Sequence, residues 1–348
     1  MPEPGTDALP LPATAGPPPR LRAEIAALGG LPGNLVLTEG PAADPAGVLL
    51  AVGRPTAALL RLAGFWVKPE TPDAPAVARR LAARLEAAAR QAGVLALRAA
   101  PGSAEEGLDP ALLPLLGLDG GTSPYSERWL GNALPLPRHA IPLYAQTTRF
   151  TCGPATLLMA LGALAGRMPS RTDEIALWRE ATSIVSLAGP GGCDPFGLAV
   201  AAWARGLLPE IRITTRWPTL TERIDTEEKR DLIGFAQAEF QERAAAAGIP
   251  VRHGDFALAE LAAPIAAGGL VLLLVDQFPT HGRHSPHWLL LHHAWEGGFL
   301  ANDPWPDPLR REGLADAENL PLRLEDLERM ARFGEPPYRA AIILPPPG

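Results

Sequence analysis

A proline-rich stretch at residues 131–142 separates two parts of the chain that differ in hydrophobic pattern. It contains three prolines and one glycine, residues that interrupt helices and strands alike. The chain has 348 residues, which is longer than most single domains. We therefore predict a small domain at residues 21–130, a linker at residues 131–142 and a larger domain at residues 143–348.

Residues 1–20 are rich in proline, glycine and alanine and have no hydrophobic periodicity. Such a segment buries too little apolar surface to order itself, so we predict a disordered tail. Only Lys68 and Lys229 are lysines among the 31 basic residues, and the chain has 40 prolines and 35 glycines. Because proline, glycine, alanine and arginine share GC-rich codons, we attribute this bias first to genome composition.

Charge and hydropathy exclude several classes of protein. The 31 basic and 38 acidic residues give a net charge of −7, which argues against general binding of nucleic acid or anionic membranes. Apolar runs such as Leu270–Val275 are far shorter than the ~20 residues of a membrane helix. The N-terminus lacks the pattern of a secretory signal. Cys152 and Cys193 are too few for a disulfide scaffold, although one disulfide between them stays open, and we predict a reduced, cytoplasmic protein.

The first domain alternates strands and helices. Apolar runs predict strands at Asn34–Thr38, Gly47–Val52 and Val94–Arg98. Between the last two of these, Ala76–Ala92 has one apolar face and one arginine-rich face, which predicts a helix. This order is typical of a small α/β domain.

The second domain mixes helices with an antiparallel hairpin. The hairpin is predicted at His287–Trp295 and Phe299–Asp303, turning at Gly297–Gly298. Two further strands are predicted, a buried one at Leu270–Asp276 and another at Glu210–Thr215. The predicted helices are Cys152–Ala165, Ile175–Thr182, Phe196–Arg205, Thr226–Ala247 and Glu325–Arg332. Together with the first domain this predicts an α+β protein.

Cys152 is a candidate nucleophile because it begins an apolar helix. The positive end of a helix dipole favours the thiolate form of a cysteine. Gly153 permits close backbone approach, and Pro154 suits a first helical turn because its missing N–H costs little there. The alternative is a buried cysteine that only fills the core.

His287 and Asp303 offer the partners that a cysteine nucleophile needs. They lie at the start of one hairpin strand and the end of the next, where they can approach each other, although the sequence does not fix the register. A histidine oriented by a carboxylate is the usual base for such a nucleophile. Taken singly, His287 also fits an ordinary strand-end histidine, and Asp303 fits a turn residue before Pro304.

These residues resemble the bacteriocin-processing cysteine peptidases, which remove double-glycine leaders. The likeness rests on the pattern Gln-x5-Cys-Gly-x-Ala from Gln146 and on the interval between His287 and Asp303. The resemblance implies a bacterial, papain-like cysteine peptidase. It also implies Cys152 as nucleophile, His287 as general base, Asp303 as the residue that orients it, and Gln146 as an oxyanion-hole donor.

A standalone subgroup of peptidase-like proteins is a closer match. Its motifs stand here at Leu177–Thr182 and Gly191–Ala199. The processing peptidases are fused to exporters with membrane helices and an ATPase, and this sequence has neither. The interval between Cys152 and His287 is also long. The double-glycine substrate therefore does not transfer with the fold.

In related standalone proteins the N-terminal partner resembles a GNAT acetyltransferase, and Ala76–Arg98 is weakly similar to the later half of that fold. That family holds acetyl-CoA with a glycine-rich loop before the main helix, whereas residues 71–77 contain no glycine. We interpret the first domain as a degenerate GNAT-like domain or an unrelated α/β domain, and we expect no cofactor.

Two other groups of residues were candidates for chemistry. His281, His284 and His287 are spaced by three in a loop, which could form a metal site, but we favour a polar loop beside an active site and expect no metal. Cys193 could be a second reactive thiol, and we favour a structural role because Asp194 disfavours its thiolate.

The sequence thus predicts a cysteine peptidase or amide hydrolase that attacks a peptide or peptide-like carbonyl through a thioester. Two alternatives stay open. One is a peptide-binding module of the same fold without turnover, and the other is an acyl transferase that forms amide or isopeptide bonds. Substrate identity and oligomeric state do not follow from the sequence.

Overall fold

The structure is a computed structural model that describes residues 16–118, 124–131, 141–182, 191–216, 218–221 and 226–346. Most of the predicted tail and linker lies outside the described residues. The described residues form two compact units, each with a mixed sheet, so the predicted α+β class is confirmed. Unit 1 comprises Met1–Leu134 and Asp307–Asp316, and unit 2 comprises Pro135–Pro306 and Ala317–Gly348.

Unit 1 contains a five-stranded sheet in the order β1-β2-β3-β4-β5. Only the β3–β4 pair is parallel. The helices and strands in chain order are α1 (Pro19–Leu28), β1 (Leu35–Glu39), β2 (Gly47–Gly53), β3 (Leu59–Val67), α2 (Ala74–Gln91), β4 (Ala96–Ala99) and β5 (Ser126–Trp129).

The core of unit 1 lies between α2 and the sheet. Val77, Leu81 and Leu85 form the buried stripe of α2, as its periodicity predicts. The three predicted strands and the predicted helix are confirmed, with ends displaced by one or two residues. Strand β3 was not predicted from the sequence; it is an apolar strand that also carries Arg61 and Gly64.

Helix α1 begins inside the segment predicted as a disordered tail. Its first residue is Pro19, and it buries Leu21 and Leu28 against the sheet. Those two leucines are seven residues apart, so they lie on one face of a helix. Two buried side chains are too few to give a clear helical periodicity in the sequence, and the stretch before them is rich in proline, so this helix was not predicted.

Unit 1 also includes a short segment from late in the chain, Asp307–Asp316. Three arginines hold it: Arg61 in β3, Arg98 in β4 and Arg54 directly after β2. Arg61 pairs with the Asp316 carboxylate at 2.7 Å, Arg54 donates to the Asp316 carbonyl at 2.8 Å, and Arg98 donates to the Ala315 carbonyl at 2.8 Å. The predicted second domain, residues 143–348, is therefore interrupted by a segment that packs with unit 1.

Unit 2 contains a seven-stranded sheet in the order β11-β10-β9-β8-β12-β6-β7. Its pairs are antiparallel except for β6 with β7. The strands are β6 (Glu210–Ile213), β7 (Val251–His253), β8 (Leu270–Asp276), β9 (Pro286–Trp295), β10 (Gly298–Asn302), β11 (Leu320–Arg323) and β12 (Ala340–Leu344). The helices are α3 (Cys152–Ala165), α4 (Arg171–Ala181), α5 (Pro195–Trp203), α6 (Glu227–Ala246), α7 (Ala262–Ala266), α8 (Phe278–His281) and α9 (Leu324–Met330).

The core of unit 2 lies between α3, α4 and α5 and one face of the sheet. Alternate residues of β8 and β9, such as Leu272, Leu274 and Trp288, enter this core. Helix α3 is buried on nearly all sides and packs against β9, where the Thr156 hydroxyl donates to the Trp288 carbonyl at 3.1 Å. Helix α7 also packs against β9, and α9 packs against β10 and β11 of the same sheet.

The predicted hairpin is confirmed, but its turn lies one residue earlier in the chain than predicted. Trp295 pairs with Gly298, so the turn is Glu296–Gly297 rather than Gly297–Gly298. Gly298 is needed inside the strand, because a Cβ there would lie 2.1 Å from the Leu322 carbonyl oxygen.

Among the described residues, none of the helices combines the length and apolarity needed to cross a bilayer.

Candidate active site

The thiol of Cys152 lies at the first residue of α3, as predicted. The residue before it, Thr151, is outside helical geometry, and Cys152 itself is buried. A Cβ on Gly153 would lie 2.9 Å from the Leu198 side chain and 3.2 Å from the Cys193 Cβ. Glycine therefore lets the start of α3 approach α5 and the Cys193 loop closely, as its place in the motif predicts.

His287 lies at the start of β9 and is hydrogen-bonded to Asp303. Its Nε2 donates to Asp303 Oδ1 at 2.6 Å, and both side chains are almost fully buried. The other ring nitrogen, Nδ1, remains for a second partner, and the Cys152 thiol lies close enough to His287 to raise its pKa. The structure thus brings three of the four predicted side chains close together.

Asp303 directly follows β10, and several hydrogen bonds fix its position. Oδ1 also accepts the Trp305 N–H at 2.7 Å, and the Asp303 N–H donates to the Ala317 carbonyl at 2.8 Å. The bond to Trp305 is the turn-forming role that an Asp-Pro sequence suggests. One carboxylate therefore makes the turn and orients the histidine, so the two sequence interpretations of Asp303 are compatible.

The electrostatics of the site favour a protonated His287. Burial alone would lower the pKa of His287, because it removes water from the charged ring. The charge of Asp303, its hydrogen bond and the contact with Cys152 outweigh burial and raise the pKa to about 10. These interactions favour the positively charged form of His287 close to Cys152.

Gln146 lies in the segment that leads into α3. Its main-chain N–H donates to the Pro304 carbonyl at 2.8 Å, which ties it to the residue after Asp303. Its side-chain Nε2 donates to the Thr148 carbonyl at 2.7 Å, which leaves the second N–H of the amide for another acceptor. Within the described residues the buried Oε1 has no hydrogen-bond partner.

Glu174 is a residue near the site that was not predicted from the sequence. In the structure it is fully buried and accepts hydrogen bonds from residues on both sides of Gln146 and from Thr151. The helical spacing could have identified Glu174, because it lies on the same buried face of α4 as Leu177 and Ala181. A carboxylate on the apolar face of a helix needs partners, and its partners here precede Cys152.

Cys193 lies close to Cys152 but in a different environment. Burial raises the pKa of the Cys193 thiol strongly, and the charges of Cys152 and Asp194 act in the same direction. The Cys193 carbonyl accepts the Trp288 indole N–H at 3.1 Å, and both cysteines are free thiols. Asp194 caps α5 by accepting the N–H groups of Phe196 and Gly197 at 2.9 and 3.1 Å.

The histidines of the neighbouring loop do not converge. His284 pairs with Asp276 at 2.6 Å and stacks on Phe278 with ring centroids 4.3 Å apart. His292 is buried against Asn302, and burial lowers its pKa to about 3. Across the described ranges, no group of three or more His, Cys, Asp or Glu side chains is placed to hold a metal ion.

A thiol at a helix N-terminus, facing a histidine and a carboxylate on adjacent strands, is the arrangement of a cysteine-peptidase-like fold. Comparison with family models agrees, since residues 141–345 match the family described as Peptidase_C39 like (DUF3335). This match covers more than half of the chain, and the protein belongs to this family. No curated protein matches the chain.

Proposed function

We propose that the protein is a cysteine-dependent peptidase or amide hydrolase acting on a peptide or peptide-like amide. One observation carries the proposal: a buried His287 is hydrogen-bonded to Asp303 and lies close enough to Cys152 for the thiol to raise its pKa. Burying a histidine–carboxylate pair costs free energy. A cysteine that only filled the core would not require such a pair beside it. The family match supports the same class of reaction.

The first half of the reaction forms a thioester. With His287 protonated, the Cys152 thiolate attacks the substrate carbonyl carbon, and the carbonyl oxygen takes up the negative charge. The tetrahedral intermediate collapses as His287 gives its proton to the leaving amine. The acyl group then remains bound to the Cys152 sulfur.

The second half releases the acid. Neutral His287 takes a proton from water, which attacks the thioester and regenerates the thiolate–imidazolium pair. Asp303 keeps the ring oriented and stabilises its charged form. The Cys152 N–H and the second N–H of Gln146 Nε2 are the proposed oxyanion donors, each worth a factor of ~10²–10³ in kcat by comparison with other enzymes.

The proposal is tested by the pH dependence of alkylation at each cysteine, followed by peptide mass mapping. We expect iodoacetamide to modify Cys152 rapidly well below pH 8, the range where an ordinary thiol is mostly protonated. Cys193, whose pKa is raised by burial, is the internal control. His287→Ala should remove the fast reaction at Cys152.

A folded protein whose Cys152 reacts no faster than a model thiol at any pH would contradict the catalytic proposal and favour a peptide-binding module. If Cys152 is reactive, the mass of the product separates hydrolysis from acyl transfer. Hydrolysis adds one water to the cleaved substrate, whereas transfer adds the mass of the amine acceptor.

We also propose that unit 1 is a degenerate GNAT-like domain and that the protein belongs to the standalone subgroup of the family. Support comes from the antiparallel β1–β2–β3 order, with α2 following and β4 parallel to β3. Residues 71–77, which span the start of α2, contain no glycine to approach a phosphate. Calorimetric titration with acetyl-CoA should give no binding heat, and saturable binding would contradict this assignment.

Finally, we propose that the protein works in a reducing compartment, the cytoplasm. The support is that Cys152 and Cys193 lie near each other and are both free thiols. Thiol counting under denaturing conditions on protein taken directly from its source should give two thiols. A disulfide between them would contradict the proposal.

A further inference from the structure

Glu174 is the most heavily hydrogen-bonded carboxylate near the candidate site. Its Oε2 accepts the Tyr144 and Thr147 hydroxyls at 2.9 and 2.8 Å. Its Oε1 accepts the Thr147 N–H at 2.8 Å and the Thr151 hydroxyl. The carboxylate is fully buried, and within the described residues these partners are uncharged donors rather than cations.

The positions of these partners in the chain are the important point. Thr147 directly follows Gln146, and Thr151 directly precedes Cys152. The same carboxylate therefore bonds to the neighbours of both proposed oxyanion donors. Because Leu177 and Ala181 anchor α4 in the core, Glu174 is a fixed point for this segment.

A carboxylate suits this position better than an amide. It can only accept hydrogen bonds, and each of its oxygens takes two. Glutamine in the same place would keep only one acceptor oxygen, so the hydroxyls facing its NH2 group would have to turn and accept instead of donating. Bonds from neutral donors to a buried carboxylate are also stronger than those to an amide oxygen.

We propose that Glu174 is a positioning residue that sets the separation between Gln146 and the Cys152 N–H, and so shapes the oxyanion hole. This inference rests on the proposed function. It makes a specific claim about which step Glu174 serves. The loss of Glu174 should slow reactions that pass through an oxyanion, and should spare reactions of the thiol that do not.

Two small reagents separate these cases without knowledge of the substrate. Iodoacetamide reacts by direct displacement of iodide at a saturated carbon, so no oxyanion forms. p-Nitrophenyl acetate reacts by addition of the thiolate to the carbonyl, and the oxyanion collapses with loss of p-nitrophenolate to leave an acetyl thioester. The rate of the p-nitrophenolate burst and the rate of alkylation both report on Cys152.

In Glu174→Gln we expect the acylation burst to slow by ~10²-fold, the lower range for loss of one oxyanion donor, with alkylation nearly unchanged at every pH. Gln146→Ala should show the same selective loss. Because both changes act on one hole, the double variant should be no slower than Gln146→Ala alone.

Glu180→Gln is the matched control, since Glu180 lies on the same helix but is exposed and pairs with Arg205. It should leave both rates unchanged. Thr147→Val keeps the Thr147 N–H bond and side-chain shape while removing one hydroxyl bond to Glu174. This milder variant should show a smaller selective loss, and it decides the matter if Glu174→Gln does not fold.

Three results would overturn the inference. Equal slowing of both reactions would make Glu174 a general structural residue, no slowing would make it dispensable, and full additivity with Gln146→Ala would place it elsewhere. A wild-type Cys152 that reacts with neither reagent faster than a model thiol overturns the proposed function itself. That result is visible before any variant is made.

Discussion

Asp303 combines two tasks in a single oxygen atom. Oδ1 accepts both the His287 Nε2–H and the Trp305 N–H, so the geometry of the turn and the orientation of the imidazole are set together. At the scale of single residues, the site therefore depends on the charge of Asp303 more than on its size.

Asp303→Asn should preserve the turn while removing the charge that holds the His287 proton. By analogy with serine triads, kcat should fall by ~10⁴-fold once a substrate is known. The same variant should lose the fast, low-pH alkylation of Cys152. Unchanged alkylation in Asp303→Asn would show that Asp303 does not control the histidine.

The raised pKa of His287 also predicts how stability varies with pH. Its folded pKa is about 10 and its ordinary value is 6.5, so the folded state binds the proton more tightly. The resulting stability is fully present below pH 6.5 and is lost as the pH rises toward 10.

Denaturant unfolding of the wild type and of His287→Gln over this range checks the prediction. The difference in free energy of unfolding should shrink with rising pH, with a slope approaching ~1.4 kcal/mol per pH unit for one proton. A difference that stays flat would mean that His287 does not retain an extra proton in the folded protein.

At the scale of elements, the register of the hairpin depends on one irregular residue. Leu300 pairs with His293 but Ala301 pairs with Leu291, so His292 is an extra residue in β9. Such a bulge shifts every later pair by one position. It therefore helps determine which part of β9 lies beside Asp303.

This bulge marks the limit of what the sequence could predict. The helix that begins at Cys152, the hairpin and the buried strand β8 all follow from local periodicity, and they are confirmed. The His287–Asp303 bond depends on a bulge at a histidine that no local pattern distinguishes. Glu174 depends on a contact between α4 and the segment before α3, which periodicity does not report.

The caps of α4 and α5 allow a prediction about local stability. Asp194 is buried and accepts two N–H groups of α5, whereas Ser170 accepts one N–H at a more exposed start of α4. Asp194→Ala should cost about 2 kcal/mol of unfolding free energy and Ser170→Ala about 1 kcal/mol or less. Denaturant titration measures both, and equal losses would contradict the importance of burial here.

At the scale of the whole molecule, unit 1 depends on a pair of residues that are 255 positions apart, Arg61 and Asp316. Both side chains are largely buried, so removal of one leaves the other without compensation in a poorly solvated place. Most of the segment between them in sequence belongs to unit 2.

Arg61→Ala should therefore destabilise the protein by about 3 kcal/mol, as expected when one partner of a buried pair is lost. Arg80→Ala is the control, because Arg80 pairs with Glu39 at an exposed position and should cost less than about 1 kcal/mol. Chemical denaturation of both variants provides the comparison. Similar values for the two would mean that the segment ending at Asp316 is not held by Arg61.

The discontinuity of unit 1 also constrains how the protein is made. On the ribosome, the strands and helices of the first 134 residues emerge early, but Asp307–Asp316 is synthesised only after most of unit 2. The bonds of Arg54 and Arg61 to Asp316 and of Arg98 to the Ala315 carbonyl can form only when translation is nearly complete, although Arg98 also pairs with Glu127 from the first part of the chain. The first unit to be started is thus completed late, and a nascent chain stalled before Asp307 would lack all three of these bonds.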